Sequence, residues 1–320
     1  MAHKYKVMLY EQMHSVGTAL LEKKCDVIYP EALDEDYLLE VFKKNGGVDA
    51  IIIRANGAIT KKIIEGNPDL KVIGRHGVGL DAIDLVAAEM SGVAVVNTPV
   101  ANSESVAEHF LVLALMLAKK IRQADAALRQ GNWQARYELI GMELYGKKLG
   151  VSGFGKIGQK IARICHKGLD MKVLYDDVVR WPEVEVELQA EKVDRETLFK
   201  EADVISLNLP LLPSTHHAIN RDLLGLMKST ALLLNMARGS VWVESDVYQA
   251  LKNGQIAGVG SDVYEKEPPD VNNPLFLLDS FVGTPHMSAH TEEAMIRMSL
   301  VAEDVLAVLE GHPPKYPVNQ

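Results

Sequence analysis

Apolar residues along this chain fall into two patterns, short continuous runs and longer segments with helical spacing. The short runs are rich in valine, isoleucine and leucine, as in strands buried on both faces of a helix-covered parallel sheet. Because the runs alternate with helical segments, the pattern predicts an α/β fold with doubly wound sheets. The predicted strands form a first series at 6–10, 27–29, 50–53, 72–74 and 93–96 and a second at 149–152, 172–175, 204–209, 231–234, 257–259 and 281–283.

Two long apolar segments depart from this rhythm and predict long helices at 103–120 and 292–309. The first ends in a lysine pair. The second is followed by Gly311 and two prolines, which are typical helix stop signals. No internal repeat or low-complexity stretch appears in the sequence.

Composition narrows the class of protein. The 320 residues, 48% hydrophobic and 24% charged, suit one large globular domain or two ordinary ones. A formal net charge of −9 gives no reason to expect nucleic acid as a partner. The longest apolar run, 110–118, is too short to span a bilayer, and the N-terminus lacks signal-peptide features. The sequence has only two cysteines, Cys25 and Cys165, so we expect no disulfide framework. From these features together we expect no membrane partner and a cytoplasmic location.

A glycine-rich segment after the first strand of the second series carries the first candidate chemistry. Its sequence is Gly153-Phe-Gly155-Lys156-Ile157-Gly158, the Gly-x-Gly-x-x-Gly spacing of a dinucleotide site. There the first glycine permits a tight turn, the second lets backbone amides approach a pyrophosphate, and the third allows close helix–strand packing. The helix N-terminus offers N–H groups to the anion. An ordinary glycine-rich turn has the same motif, but not the strand, helix and second strand around it.

The second strand of that series indicates which dinucleotide is bound. It ends at Asp176, where a carboxylate would receive the ribose hydroxyls. An acid there favours NAD over NADP, because a 2′-phosphate would meet a like charge. Asp177 adds to this preference, while the nearby Arg180 leaves NADP open. We expect NAD as the cofactor.

Further motifs resemble one known family. Their order and spacing are similar to those of the D-isomer-specific 2-hydroxyacid dehydrogenases, in particular the phosphoglycerate dehydrogenases, and the resemblance covers nearly the whole chain. The motifs are Arg-His-Gly-Val-Gly-Leu-Asp at 75–81, Asn-Thr-Pro-Val-Ala-Asn-Ser at 97–103, Asn-Met-Ala-Arg-Gly-Ser at 235–240, Ser-Asp-Val-Tyr-Glu-Lys-Glu-Pro at 261–268 and Thr-Pro-His-Met-Ser-Ala-His-Thr at 284–291.

The resemblance implies Arg238, Glu267 and His286 as the catalytic set. Oxidation of a 2-hydroxy acid requires a base that removes the hydroxyl proton, and histidine suits that task near neutral pH. A carboxylate against the imidazole stabilises its protonated form and fixes its tautomer, which is the role implied for Glu267. The planar donors of Arg238 can bind the substrate carboxylate and polarise its carbonyl oxygen.

The resemblance also extends the cofactor site. Asp262 matches the family's acid near the nicotinamide carboxamide, and backbone groups around Pro210, Met236 and Ala237 would line the cofactor site. Together with these, the predicted cofactor-binding residues are Gly153, Gly155, Lys156, Ile157, Gly158, Asp176, Arg238 and His286.

Each catalytic residue also has an ordinary interpretation. Arg238 is equally typical of a surface arginine after a strand, and Glu267 of a solvated acid in a proline-rich loop. His286 and His290 have the i, i+4 spacing of a metal pair on a helix. The proline directly before His286 disfavours a helix there, and the sequence offers no third ligand. We therefore expect no metal.

Substrate recognition is expected from the first strand series. Backbone N–H groups at 77–79 can cradle a carboxylate, and Arg54 and Arg75 match positions where phosphoglycerate dehydrogenases place cations for the phosphate. The alternative is ordinary salt bridging. His76 and the run after His286 differ from the family's form, which leaves the substrate open. The predicted substrate-binding residues are Arg54, Asn56, Gly57, Arg75, Gly77, Val78 and Gly79.

The function implied is hydride transfer between NAD(H) and a small D-2-hydroxy acid or 2-keto acid. One alternative is a hydroxypyruvate or glyoxylate reductase, for which Arg54 and Arg75 would be incidental. An alternative of another class is an NAD(H)-sensing protein like the corepressors called C-terminal binding proteins, which share the fold and the catalytic set.

The family fold implies a Rossmann NAD-binding domain, 102–286, inserted into a flavodoxin-like substrate domain formed by 1–101 and 287–320. The two long helices would connect the domains. A homodimer is expected, because the first of these helices commonly builds a dimer in the family. Because the sequence ends at Gln320, we expect a short form without a regulatory C-terminal domain.

Overall fold

The computed structural model describes residues 5–319. The chain divides into two compact units. Unit 1 consists of Met1–Asn102 and His290–Gln320, and unit 2 consists of Ser103–Ala289. Unit 2 is therefore continuous in sequence, whereas unit 1 is assembled from both ends of the chain.

Unit 1 contains, in its described part, a parallel sheet of five strands. The strands are β1 (Tyr5–Leu9), β2 (Cys25–Ile28), β3 (Ala50–Ile53), β4 (Val72–Arg75) and β5 (Ala94–Val96). The helices between them are α1 (Ser15–Glu22), α2 (Glu35–Asn45), α3 (Lys61–Glu65) and α4 (Leu85–Met90). The strand order is β2-β1-β3-β4-β5. This order confirms the flavodoxin-like prediction.

Apolar side chains cover both faces of this sheet. Every residue of β3, Ala-Ile-Ile-Ile, is buried. Because successive side chains of a strand point to opposite faces, Ile51 packs in one cluster with Leu38 of α2, and Ile52 in another with Val305. A continuous apolar run therefore marks a strand covered on both sides, as the sequence pattern predicted.

Unit 2 contains a parallel sheet of seven strands among the described residues. They are β6 (Lys148–Ser152), β7 (Lys172–Asp176), β8 (Glu191–Lys192), β9 (Val204–Leu207), β10 (Leu232–Asn235), β11 (Gly258–Ser261) and β12 (Phe281–Gly283). The order β8-β7-β6-β9-β10-β11-β12 is that of a Rossmann sheet extended by one strand and confirms that prediction. The sequence pattern missed β8, because this two-residue edge strand has no apolar run.

Seven α-helices accompany this sheet in the described part of unit 2. They are α5 (Ser103–Ala118), α6 (Ile121–Arg129), α7 (Lys156–Leu169), α8 (Pro182–Leu188), α9 (Arg195–Glu201), α10 (Arg221–Leu224) and α11 (Glu244–Lys252). Short 3-10 helices occur at Trp133–Tyr137, Gly239–Val241 and Pro274–Leu277. Apolar residues of α5 and α7 cover one face of the sheet, and those of α9 and α11 cover the other.

The two predicted long helices have different outcomes. The first forms α5, which ends at Ala118, close to the predicted end. The second is not continuous, because Leu300, with φ −68° and ψ −2°, separates α12 (Glu292–Ser299) from α13 (Val301–Leu309). The Ser299 hydroxyl donates to the Ile296 carbonyl at 2.7 Å, the kind of back-bonding that bends helices. No helix within residues 5–319 combines the length and apolar character needed to cross a membrane.

Candidate active site

The glycine-rich turn between β6 and α7 has the geometry of a dinucleotide site. Gly153 has φ +89°, and a Cβ there would lie 2.7 Å from the Asn208 carbonyl. A Cβ on Gly158 would lie 2.3 Å from the Gly153 carbonyl oxygen, so helix and strand pack too closely for a side chain. A Cβ on Gly155 would meet nothing within 4 Å. The space at Gly155 is therefore open to a ligand, whereas the other two glycines are required by the fold.

The first turn of α7 faces that space with unused donors. Among residues 5–319, no side chain caps the helix at Gly155. Lys156 is exposed and Ile157 is half-buried. Since the first N–H groups of a helix lack intrahelical acceptors, this end offers backbone donors and a positive dipole end. A pyrophosphate fits this donor set.

Asp176, at the end of β7, has one carboxylate oxygen bound and one available. Oδ2 accepts hydrogen bonds from Arg195 Nε at 2.7 Å and from Ser152 Oγ at 3.2 Å. No protein donor among the described residues contacts Oδ1. That oxygen is open to a ribose hydroxyl, and the contact itself stays a prediction.

The neighbours of Asp176 have structural roles that the sequence did not predict. Asp177 accepts the Phe154 N–H at 2.6 Å and the Val179 N–H at 2.8 Å, so its carboxylate braces the glycine turn. Arg180 forms a two-pronged ion pair with Glu185. The arginine that contacts Asp176 is Arg195, not Arg180.

Glu267 and His286 form the central pair of the site. His286 Nδ1 lies 2.7 Å from Glu267 Oε2, and the Tyr264 N–H donates to Oε1 at 3.0 Å. Burial raises the pKa of the Glu267 carboxyl, but the His286 hydrogen bond, the Tyr264 N–H and the charge of Arg238 together hold that pKa below its ordinary value. Glu267 is therefore ionised at neutral pH. An ionised carboxylate only accepts hydrogen bonds, so Nδ1 of His286 must be the donor.

The loop that carries His286 is held by a buried acid. Asp262 Oδ1 accepts hydrogen bonds from the Thr284 hydroxyl at 2.6 Å and the Met287 N–H at 2.8 Å, and Oδ2 accepts the Ser288 N–H at 2.8 Å. His286 itself has φ +50°, an uncommon conformation for a residue other than glycine. Asp262 thus holds the Thr284 side chain before His286 and the backbone after it, and its contact with a nicotinamide stays a prediction.

Arg238 follows β10 in a turn that Asn235 braces. The buried Asn235 side chain accepts the Ala237 N–H at 2.9 Å and donates to the Arg238 carbonyl at 3.0 Å. Arg238 Nη1 donates to the Ala237 carbonyl at 2.8 Å. Its charge is close enough to lower the pKa of Glu267. The structure therefore brings Arg238, Glu267 and His286 together in unit 2.

The other predicted cofactor residues lie at carboxyl ends of strands in the same sheet. Pro210 follows β9 and is exposed, and its carbonyl accepts the Thr215 hydroxyl at 2.5 Å. Met236 and Ala237 follow β10 and are buried. In open parallel sheets, ligands bind at this edge.

In unit 1, the predicted substrate residues lie at the carboxyl ends of β3 and β4. Arg54 Nη1 donates to the Gln12 carbonyl at 3.3 Å, and Nη2 lies 3.2 Å from His290 Nε2. Asn56 is engaged by Glu11, which accepts its backbone N–H at 2.7 Å and its side-chain amide at 2.8 Å. Gly57, with φ +80°, completes this turn.

The loop after β4 corrects one expectation. The Gly77 N–H is buried and donates to Thr98 Oγ1 at 3.1 Å, so the prediction that this N–H group helps to cradle a carboxylate is wrong. The N–H groups of Val78 and Gly79 have no protein acceptor among the described residues. Arg75 Nε donates to the Gly79 carbonyl at 2.6 Å, which braces the loop from inside. The predicted carboxylate cradle is thus limited to the N–H groups of Val78 and Gly79.

His76 is buried beside Arg54 and Arg75. It is 3% exposed, and neither ring nitrogen has a hydrogen-bond partner in the described part of the chain. Burial, with the charges of Arg54 and Arg75, lowers its pKa to about 4. His76 is therefore neutral at pH 7 and adds no charge to the two arginines.

The geometry gives no support to a metal at His286 and His290. His290 precedes α12 and lies beside Arg54, and His286 is outside any helix. Across residues 5–319, no three side chains of histidine, cysteine, aspartate or glutamate are grouped as a metal site requires.

Sequence reasoning missed three residues that shape these sites. Arg195 contacts Asp176, Glu11 binds the turn after β3, and His109 Nε2 lies 2.9 Å from the Thr284 hydroxyl. His109 had a detectable signal, because it is a lone histidine within the apolar helix α5. Glu11 and Arg195 had none, since both belong to polar segments and contact residues distant in sequence.

Comparison with known proteins identifies relatives of the chain. The family model described as the NAD binding domain of D-isomer specific 2-hydroxyacid dehydrogenases matches residues 111–288. The D-3-phosphoglycerate dehydrogenase of Methanocaldococcus jannaschii is 41% identical over 316 residues, 98% of this chain and 59% of that protein. The glyoxylate reductase of Thermococcus litoralis is 38% identical over 327 residues, 99% of this chain and 97% of that protein. The chain thus spans about three-fifths of the first relative and nearly all of the second.

A solved structure agrees with the fold. The holo form of Rhodotorula graminis D-mandelate dehydrogenase superposes with a TM-score of 0.92 at 28% identity, covering 100% of this chain and 99% of that one. It confirms the predicted Rossmann fold, and the matched family model, that of an NAD binding domain, supports NAD as the cofactor.

Proposed function

The chain belongs to the D-isomer specific 2-hydroxyacid dehydrogenase family, and we propose that it transfers hydride between NAD(H) and a small D-2-hydroxy acid or 2-keto acid. The observation that carries this proposal is the Glu267–His286 pair, 2.7 Å apart, in the unit that holds the dinucleotide turn. Bound NAD(H) supplies the hydride acceptor or donor. The protein must supply proton transfer and must hold the substrate's anionic groups.

His286 is the proton-transfer group in this proposal. Its Nδ1 donates to ionised Glu267, so in the neutral imidazole Nε2 carries the lone pair. In the described part of the chain, no protein group forms a hydrogen bond with Nε2. The nitrogen can therefore take the hydroxyl proton during oxidation and return it during reduction, while Glu267 stabilises the imidazolium.

Arg238 would bind the reacting end of the substrate. Its planar guanidinium can donate to a carboxylate and to the adjacent carbonyl oxygen, where negative charge develops during reduction. The brace from Asn235 fixes the backbone from which this side chain extends. In unit 1, the Val78 and Gly79 N–H groups would receive the carboxylate.

We further propose a phosphorylated three-carbon keto acid as the substrate, recognised by Arg54. Two observations favour a hydroxypyruvate or glyoxylate reductase as a second candidate. Arg75 is half-buried and its Nε donates to the Gly79 carbonyl, and the chain covers 97% of a glyoxylate reductase. Initial rates with NADH across phosphohydroxypyruvate, hydroxypyruvate, glyoxylate and pyruvate separate the two. Nucleotide binding without turnover on any of them would instead favour a sensing protein.

Replacement of Arg54 by alanine is the sharper test of phosphate recognition. One charge-assisted hydrogen bond corresponds to a preference of about tenfold or more in kcat/KM for the phosphorylated substrate. Arg54→Ala should remove most of that preference and leave the rate on hydroxypyruvate largely unchanged. Arg221→Ala, which removes an exposed arginine paired with Asp246, is the control. Equal efficiency of the unmodified enzyme on both substrates would reject the phosphate proposal.

A homodimer is proposed from the surface of unit 2. Helix α6 has no buried residue. Together with the segment that follows, it exposes a set of large apolar side chains, a concentration that marks an interaction surface. These side chains are Ile121, Leu128, Trp133, Tyr137, Ile140 and Tyr145, all between 48% and 75% exposed. We propose that a second copy of the chain covers them. A cytoplasmic location is proposed as well, consistent with two buried free cysteines.

A charge placed on this surface should separate the two copies. Leu128→Glu would bury an unpaired carboxylate in the contact and raise the dimer dissociation constant by about 100-fold. Sedimentation equilibrium measures this change. Val271→Glu is the matched control, because Val271 is 87% exposed and lies outside the surface. A monomeric unmodified protein, or equal dissociation constants for the two variants, would contradict the proposed interface.

A further inference from the structure

Arg195, the first residue of α9, is in direct contact with the acid at the end of β7. Its Nε donates to Asp176 Oδ2 at 2.7 Å. The two side chains are 30% and 17% exposed, so the ion pair is only partly screened by water. The Ser152 hydroxyl donates to the same oxygen at 3.2 Å. Two donors therefore hold Oδ2 and leave Oδ1 for a ligand.

We propose that Arg195 is a second determinant of dinucleotide choice, positioning Asp176 for the ribose hydroxyls of NAD(H) and binding a 2′-phosphate once Asp176 is removed. The proposal rests on the proposed function, in which Asp176 receives that ribose. In this proposal, Asp176 does not set the choice between NAD(H) and NADP(H) alone, because Arg195 contributes to it.

The donors of Arg195 support both parts of the proposal. A guanidinium has five N–H donors, and here only Nε is used. The Nη1 and Nη2 groups have no acceptor among the described residues. With Asp176 present, the pair is neutral and its orientation is fixed for a hydroxyl donor. Without Asp176, the same guanidinium has the planar fork that matches a phosphate.

Other nearby cations are less suited to this role. Arg180 is held by both oxygens of Glu185. Lys192 donates to the Val178 carbonyl at 3.4 Å. Asp177 uses its two oxygens on backbone N–H groups and so does not compete for Arg195. Arg195 is therefore the cation in direct contact with the ribose-binding acid.

A double-mutant cycle tests the proposal without requiring turnover. Dissociation constants for NADH and NADPH are measured by nucleotide fluorescence for the unmodified protein, Asp176→Ala, Arg195→Ala and the double variant. Asp176→Ala should shift the ratio of the two constants toward NADPH by about tenfold or more. In the double variant, the added Arg195→Ala should weaken NADPH binding and so move this ratio back by about tenfold. Arg195→Ala alone should weaken NADH several-fold without improving NADPH.

Controls separate this proposal from the proposed function. Arg180→Ala removes a neighbouring cation and should leave both constants unchanged. Arg195→Gln, with the melting temperature of every variant, distinguishes lost recognition from lost folding. NADPH binding to Asp176→Ala that does not change when Arg195 is replaced would overturn the role of Arg195 alone. An unmodified protein that binds neither nucleotide would overturn the proposed function as well.

Discussion

Replacement of His286 by alanine is expected to lower kcat by about 10²- to 10⁴-fold, the usual contribution of a general acid–base. The dinucleotide turn is formed by other residues, so NADH binding should stay nearly intact. Steady-state rates on the best 2-keto acid, together with fluorescence titration of NADH, measure the two effects separately. Turnover like that of the unmodified enzyme would remove His286 from the mechanism.

The chain offers a closely matched control for this variant. His217 Nε2 lies 3.2 Å from Glu265, is similarly exposed, and like His286 has a positive φ, here +52°. His217→Ala therefore removes a histidine–glutamate pair from the same unit without touching the proposed site. Its kcat should be unchanged, so a loss in both variants would indicate a general structural effect.

Glu267→Gln should have a kcat between that of the control variant His217→Ala and that of His286→Ala. The pKa of Glu267 lies below its ordinary value, so the carboxylate stays ionised through the neutral range and is protonated only as the pH falls below that value. Glutamine keeps the size of the side chain but removes the charge that stabilises the imidazolium, and its single oxygen can accept only one of the two hydrogen bonds, from His286 or from Tyr264. The sequence could suggest this pairing only through resemblance, because Glu267 and His286 lie on different loops.

The parts of the structure that depend on local pattern were predictable. A positive φ requires glycine at Gly153, and close helix–strand packing requires it at Gly158. The spacing of these glycines therefore predicted the turn. Continuous apolar runs such as 50–53 identified buried strands, because both faces of those strands are covered. Family resemblance supplied the strand orders, which local pattern alone does not determine.

The parts that depend on tertiary contacts were not predictable. The break at Leu300 occurs within an apolar periodicity that continues across it. The buried Gly77 N–H depends on Thr98, 21 residues away. The Asp176–Arg195 pair joins the end of β7 to the start of α9, whereas Arg180, which is closer in sequence, pairs with Glu185. In the last two cases a side chain distant in sequence decided the outcome.

Replacement of Arg238 by alanine is expected to lower kcat/KM for the keto acid by about 10²- to 10³-fold, the cost of losing one donor to a developing oxyanion. Arg238→Lys should recover little, because a lysine keeps the charge but lacks the planar fork. Added guanidinium ion should restore part of the alanine variant's rate and none of the lysine variant's, since only the former leaves a cavity of that shape.

The exposed Arg221 again provides the control, since its ion pair with Asp246 lies at the surface, where such pairs contribute little. Arg221→Ala should keep the unmodified kcat/KM. The charge of Arg238 also helps to lower the pKa of Glu267, so its removal weakens the ionised state of the histidine's partner. The loss in Arg238→Ala should therefore grow as the pH is lowered toward the ordinary range of a glutamate. A loss independent of pH would separate substrate binding by Arg238 from its effect on Glu267, and an unchanged kcat/KM would exclude it from the site.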